Sequence, residues 1–134
     1  MSQSPHATAD NAGAGVLLTR IATGGQSFPA DEPVEVGGTA MGPAPHDLLC
    51  AALAACTAMT LRLYADRKTW PLQAIHVEVD HAREPDQTPP DVFRRTVRFE
   101  GALDDEQRAR LLEIADRCPV HRTLTAGARI VTAA

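Results

Sequence analysis

Three cysteines are all this 134-residue chain has. The number is small and odd, which excludes the disulfide framework of a small secreted domain. In a reducing compartment, a disulfide between two of them is more often transient and catalytic than structural. Positive charge is also short: 13 Lys and Arg stand against 17 Asp and Glu, for a net charge of -4. That balance argues against nucleic acid and anionic membranes as partners. No basic cluster offsets it, because Arg94, Arg95 and Arg98 fall on an expected strand. The first fifteen residues lack the apolar stretch of a secretory signal. The longest uncharged run, Leu48–Leu61, is fourteen residues, short of the roughly 18 that span a bilayer. The expectation is a cytoplasmic protein, with neither repeats nor low-complexity segments.

Hydrophobic residues at 44% and charged residues at 22% are ordinary globular proportions. Residues 1–14 read as a disordered tail and residues 15–134 as one domain. Val16–Ile21 reads as a strand, Thr23–Ser27 as a turn, and Phe28–Ala30 as the returning strand. Pro43 and Pro45 mark the start of a long helix expected from Pro45 to Lys68, stopped by Trp70-Pro71. It is apolar around most of its circumference and ~36 Å long, so a second copy of the chain is expected to help bury it. Ile75–Val79 and Phe93–Glu100 alternate as strands and pair as a hairpin. Asp104 with Gln107 three positions on is a capping box for a helix over Asp105–Arg117. Cys118-Pro119 opens a further short helix, and Ala128–Thr132 reads as a closing strand. Strands, long helix, hairpin, two helices and strand make an α+β order with antiparallel strands.

Two of the cysteines sit where a reactive thiol is useful. Cys118 stands immediately before Pro119, at a helix start where free backbone N–H groups and the helix dipole favour a thiolate. Arg117 and Arg122 add charge nearby. The plainer reading is a buried small hydrophobe ahead of a proline. Cys56 lies among alanines on the long helix and alone reads as packing. Taken together, one thiol near a helix middle and one at a helix start suit a peroxidatic–resolving pair. Cys50 is six residues earlier on the same helix, ~9 Å along the axis and ~240° around it, and reads as packing. Cys118 and His121 also have metal-ligand spacing, but with Cys56 they still lack a fourth ligand. Arg95 falls on the apolar register of Phe93, Val97 and Phe99, either as an inward charge or as a snorkelling strand-end arginine.

Four stretches resemble one known family. They are Gly-Gly-Thr-Ala-Met-Gly-Pro-Ala-Pro at 37–45, the run from Leu48 through Cys56-Thr57, Tyr64-Ala65 to Trp70-Pro71-Leu72, and Arg117-Cys-Pro-Val-His-Arg-Thr-Leu124. Over roughly residues 14–132 they resemble the OsmC/Ohr family of osmotically inducible and organic-hydroperoxide-resistance proteins, most of all its OsmC-like branch. The resemblance implies an intertwined homodimer, with antiparallel sheets wrapped around long central helices and active sites at the subunit interface. It implies a thiol peroxidase acting on organic hydroperoxides, and less well on hydrogen peroxide, in oxidative-stress defence. Cys56 matches the peroxidatic cysteine and Cys118 the resolving one. No metal or organic cofactor is implied, since a small dithiol, lipoyl-type in some members, supplies electrons. Where family peroxidases carry a glutamate ten residues before the first cysteine, this chain has His46, with Asp47 beside it. Gln26 follows the Gly-Gly turn where related proteins have arginine, and Arg20 is the only arginine before the long helix. Arg20 and Asp47 are therefore the candidate charge partners, and Leu53 and Met59 the candidate pocket lining. A non-enzymatic module of the same fold, binding a small apolar ligand or sensing oxidation, is the alternative.

Overall fold

The computed structural model describes residues 4–11 and 13–134. It divides into two compact units, one ending at Leu49 and one beginning at Cys50. The first unit carries a three-stranded antiparallel sheet in the order β1-β2-β3: β1 (Ala7–Asp10), β2 (Thr19–Thr23) and β3 (Gln26–Ala30). The β2–β3 turn contains Gly24 and Gly25, both at positive φ (57° and 77°), which glycine adopts without steric cost. Strand β1 falls inside the stretch expected as a tail: Ala7 pairs with Thr23 and Asp10 with Arg20, and the Thr23 hydroxyl donates to the His6 carbonyl at 2.7 Å. Residues 1–3 and 12 of that stretch lie outside the described residues. β2 begins at Thr19 rather than Val16, and Val16, Leu17 and Leu18 remain exposed.

Asp31 organises the segment after β3. Its carboxylate accepts the Thr39 hydroxyl at 2.6 Å and the backbone N–H groups of Glu32, Thr39 and Met41 at 2.8, 3.1 and 3.2 Å. These bonds, the Thr39 hydroxyl foremost, lower its pKa to about 2. A buried carboxylate with this many donors closes a glycine-rich loop that has little apolar surface of its own.

Helix α1 (Pro45–Arg67) leads into the second unit. By length and composition alone it is apolar enough to cross a membrane, with 22% of its most apolar window buried, a test that core helices of soluble proteins also meet. Its buried residues are Leu53, Thr57, Leu61 and Ala65, one stripe at a spacing of four. The apolar Leu49, Met59 and Leu63 are 40%, 65% and 57% exposed. Only one side of the helix is covered by β4 (Leu72–Arg83), β5 (Asp91–Gly101) and α2 (Asp105–Ala115).

β4 and β5 form a two-stranded antiparallel hairpin, longer at both ends than expected. Its register sets Ile75 opposite Phe99, Val77 opposite Val97, and Val79 opposite Arg95. Leu61, Ala65, Leu72, Leu111, Ile114 and Ala115 make the core, backed by Tyr64, Trp70, Ile75, Val97, Phe99 and Leu103. Gly101 ends β5 at φ 139°, where an added Cβ would lie 2.1 Å from the Pro71 carbonyl oxygen. Only glycine allows that approach.

The capping box of α2 is present in both directions: Asp104 accepts the Gln107 N–H at 2.7 Å, and the Gln107 side chain accepts the Asp104 N–H at 3.0 Å. α2 stops at Ala115, and α3 (Pro119–Ala126) follows. The expected strand over Ala128–Thr132 does not form. The chain there has no regular structure, and Ile130 and Val131 are 90% and 84% exposed. β propensity cannot hold a strand that finds no sheet edge to pair with.

Candidate active site: a hydrogen-bonded dithiol

Cys118 is the N-cap of α3, with Pro119 in the first turn, and its Sγ accepts the His121 N–H at 3.5 Å. The residue is fully buried within the chain. Cys56, two turns into the second unit's part of α1, is half-buried. Sixty-two positions apart in sequence, the two thiols stand within hydrogen-bond contact of each other and carry no disulfide.

The two sulfurs differ in acidity. Burial pushes the Cys56 thiol up, and its hydrogen bond to Cys118 adds to that. Burial also opposes ionisation of Cys118, but four donors outweigh it: the Cys56 thiol, the N–H groups of His121 and Val120, and the Thr57 hydroxyl. Cys118 is therefore lowered overall. Cys118 is therefore the more acidic of the two sulfurs, with the Cys56 thiol donating toward it. A buried thiolate is tolerated because it sits on helix N-terminal amides.

Beside the pair lies a polar group that sequence reading left undecided. Arg95 turns inward from β5, with its side chain 13% exposed. Nη1 donates to Thr57 Oγ1 at 3.0 Å and to the Ala115 carbonyl at 3.4 Å. Nη2 donates to Asp116 Oδ1 at 3.1 Å and to His121 Nδ1 at 3.3 Å. The strand period was the available signal, since it put Arg95 on the apolar face. Thr57 gave no signal: next to Cys56 and fully buried, it passes for a core hydroxyl, and its Oγ1 donates to the Leu53 carbonyl at 2.7 Å.

Arg20 Nε donates to Ser27 Oγ at 3.0 Å within the first unit. Asp47 lies in the first turn of α1, where it accepts the Ala44 N–H at 2.9 Å. Leu53 is buried, whereas Met59 lines an open apolar groove of about 550 Å³ with Ala58, Arg62, Leu63 and Ile75. His76 and His81 contact Glu100 and Asp91 at 3.2 and 2.9 Å.

Among known proteins, the family model described as OsmC-like protein matches residues 37–133. No curated protein matches the chain. Solved structures match over nearly its whole length. An OsmC-like protein from Mycoplasma pneumoniae superposes with a TM-score of 0.71 at 21% identity, over 93% of this chain and 89% of that one. An organic hydroperoxide resistance protein OsmC from Legionella pneumophila gives 0.69 at 18%, over 91% and 89%. An organic hydroperoxide resistance protein from Elizabethkingia anophelis gives 0.69 at 18%, over 92% and 89%. At such identities the likeness is one of fold.

Proposed function

Because the chain belongs to the OsmC-like family, we propose that it is a thiol peroxidase that reduces organic hydroperoxides, and hydrogen peroxide less well, through Cys56 and Cys118. The observation that carries this reading is the contact between two thiols so far apart in sequence. Two adjacent thiols have no packing advantage over two alanines, but they are what a two-step peroxide reduction uses. The hydroperoxide-resistance proteins that share the fold support the choice of substrate.

Cys56 is the attacking thiol, being the more exposed of the two. Its proton passes to Cys118 along their hydrogen bond, which leaves a Cys56 thiolate. That sulfur attacks one peroxide oxygen, the O–O bond breaks, and Cys56 becomes a sulfenic acid. The departing alkoxide takes the proton from Cys118 and leaves as alcohol. The Cys118 thiolate so formed attacks the sulfenic sulfur; hydroxide departs and takes a proton from solvent, closing the disulfide. An external dithiol, small or lipoyl-type, reduces it by two exchange steps and is itself oxidised to a cyclic disulfide. The chemistry needs no metal or organic cofactor. We read the working form as a cytoplasmic homodimer in which a second copy covers the exposed apolar face of α1.

The direct test is consumption of cumene hydroperoxide with dihydrolipoamide as reductant. Wild type should turn over, while Cys56→Ser should fall to the uncatalysed rate. Equal consumption by the two ends the enzyme reading. A second reading, an oxidation sensor of the same fold, is favoured by the burial that pushes the Cys56 thiol up. It expects one stoichiometric oxidation with no turnover under excess dithiol.

A further inference from the structure

The buried guanidinium of Arg95 has no role in the chemistry just described, yet its partners are the groups that hold Cys118. It donates to Thr57 Oγ1 and to His121 Nδ1. His121 donates its backbone N–H to Cys118 Sγ at 3.5 Å, and the Thr57 hydroxyl, which donates to the Leu53 carbonyl, helps lower the same thiol. Taking a guanidinium out of water is costly unless its donors are matched, and here four acceptors on three elements match them.

The direction of each bond matters. A hydroxyl that accepts from a guanidinium keeps its own proton free to donate. Thr57 has two acceptors within reach, the Leu53 carbonyl and the Cys118 sulfur. Negative charge on the sulfur draws the hydroxyl proton to it, and the arginine charge behind the oxygen strengthens that donation. The guanidinium can only donate, so His121 Nδ1 is the acceptor of its bond with Arg95. That bond also ties the first turn of α3, whose amides face Cys118, to strand β5. Asp116, 68% exposed and paired with Arg95 at 3.1 Å, is the counter-ion on the solvent side.

We propose that Arg95 is the positioning residue of the dithiol: through Thr57 and His121 it keeps the groups around Cys118 aimed at the sulfur. The proposal rests on the peroxidase reading and deepens it by saying what holds Cys118 more acidic than Cys56, and it assigns Arg95 no contact with peroxide.

The test reads thiolate rather than turnover. Thiolate ultraviolet absorbance is titrated on the reduced full-length protein for wild type, Arg95→Lys, Arg95→Met and Thr57→Val, with Arg95→Met repeated in Cys118→Ser. Arg95→Met should hold about tenfold less thiolate than wild type at neutral pH, and Arg95→Lys should recover part of it. In Cys118→Ser the Arg95→Met change should leave the titration of Cys56 unmoved. A folded Arg95→Met that titrates like wild type overturns the proposal, and so does an equal loss with Cys118 absent. Should Arg95→Met fail to fold, Thr57→Val carries the test: loss of thiolate supports the link, and an unmoved titration overturns it. A protein with the expected titration but no peroxide turnover would sink the peroxidase reading alone.

Discussion

Oxidising the dithiol should raise the melting temperature by about 10 °C. A Cys56–Cys118 disulfide closes a loop of 62 positions. Cross-linking a loop of that size removes about 14 cal/mol/K of denatured-chain entropy, worth about 4 kcal/mol at 25 °C. Losing the thiol–thiol hydrogen bond gives back about 1 kcal/mol, leaving about 3 kcal/mol. Unfolding entropy near 2.1 cal/mol/K per residue amounts to about 280 cal/mol/K for this chain, so about 3 kcal/mol moves the midpoint by about 10 °C. Because the two thiols already act on each other as hydrogen-bond neighbours in the reduced protein, closure requires little backbone movement to offset the gain. The assay is calorimetry on reduced protein and on protein treated with one equivalent of cumene hydroperoxide, with peptide mapping to locate the cross-link. Cys118→Ser should show no rise. A mapped Cys56–Cys118 bridge with an unchanged or lower midpoint refutes the entropic reasoning; if no bridge forms between these residues, the assignment of the pair itself fails.

Asp31, with its carboxyl lowered to about 2, should stabilise its loop at every pH above its unfolded value near 3.9. That contribution should fade as acid takes the pH down through about 2, because a depressed carboxyl must be protonated to release its donors. Asp31→Asn at neutral pH should speed amide exchange of Thr39 and Met41 by about tenfold; unchanged exchange would remove Asp31 from the loop's support. Leu63→Glu puts a charge into the exposed groove of α1 and should shift the protein from dimer to monomer in sedimentation at micromolar concentration. A wild type that is itself monomeric there would leave the apolar face without its proposed cover.

The β4–β5 hairpin, the start and stop of α1 and the Asp104–Gln107 box were legible in the chain because each rests on local chemistry. Alternation, proline placement and capping residues act within a few positions of themselves. The thiolate-favouring setting of Cys118 was legible for the same reason: Pro119 begins a helix wherever that helix packs. Two elements went the other way. β1 hid in a stretch of small polar residues because backbone pairing with β2 makes it a strand, and the apolar end at Ala128–Thr132 stayed irregular for want of an edge.

The covered stripe of α1 could not be read from its own residues, since apolar side chains lie nearly all round it and only its neighbours choose among them. The meeting of Cys56 with Cys118, and the delivery of Arg95 to Thr57 and His121, are likewise tertiary. Residues on α1, β5 and the α2–α3 junction converge there, separated by up to 62 positions of chain. Sequence by itself determined which side chains could carry a thiolate and which elements would hold them. Only packing decided which of the two sulfurs is the more acidic, because that depends on how much burial and how many donors the fold brings to each.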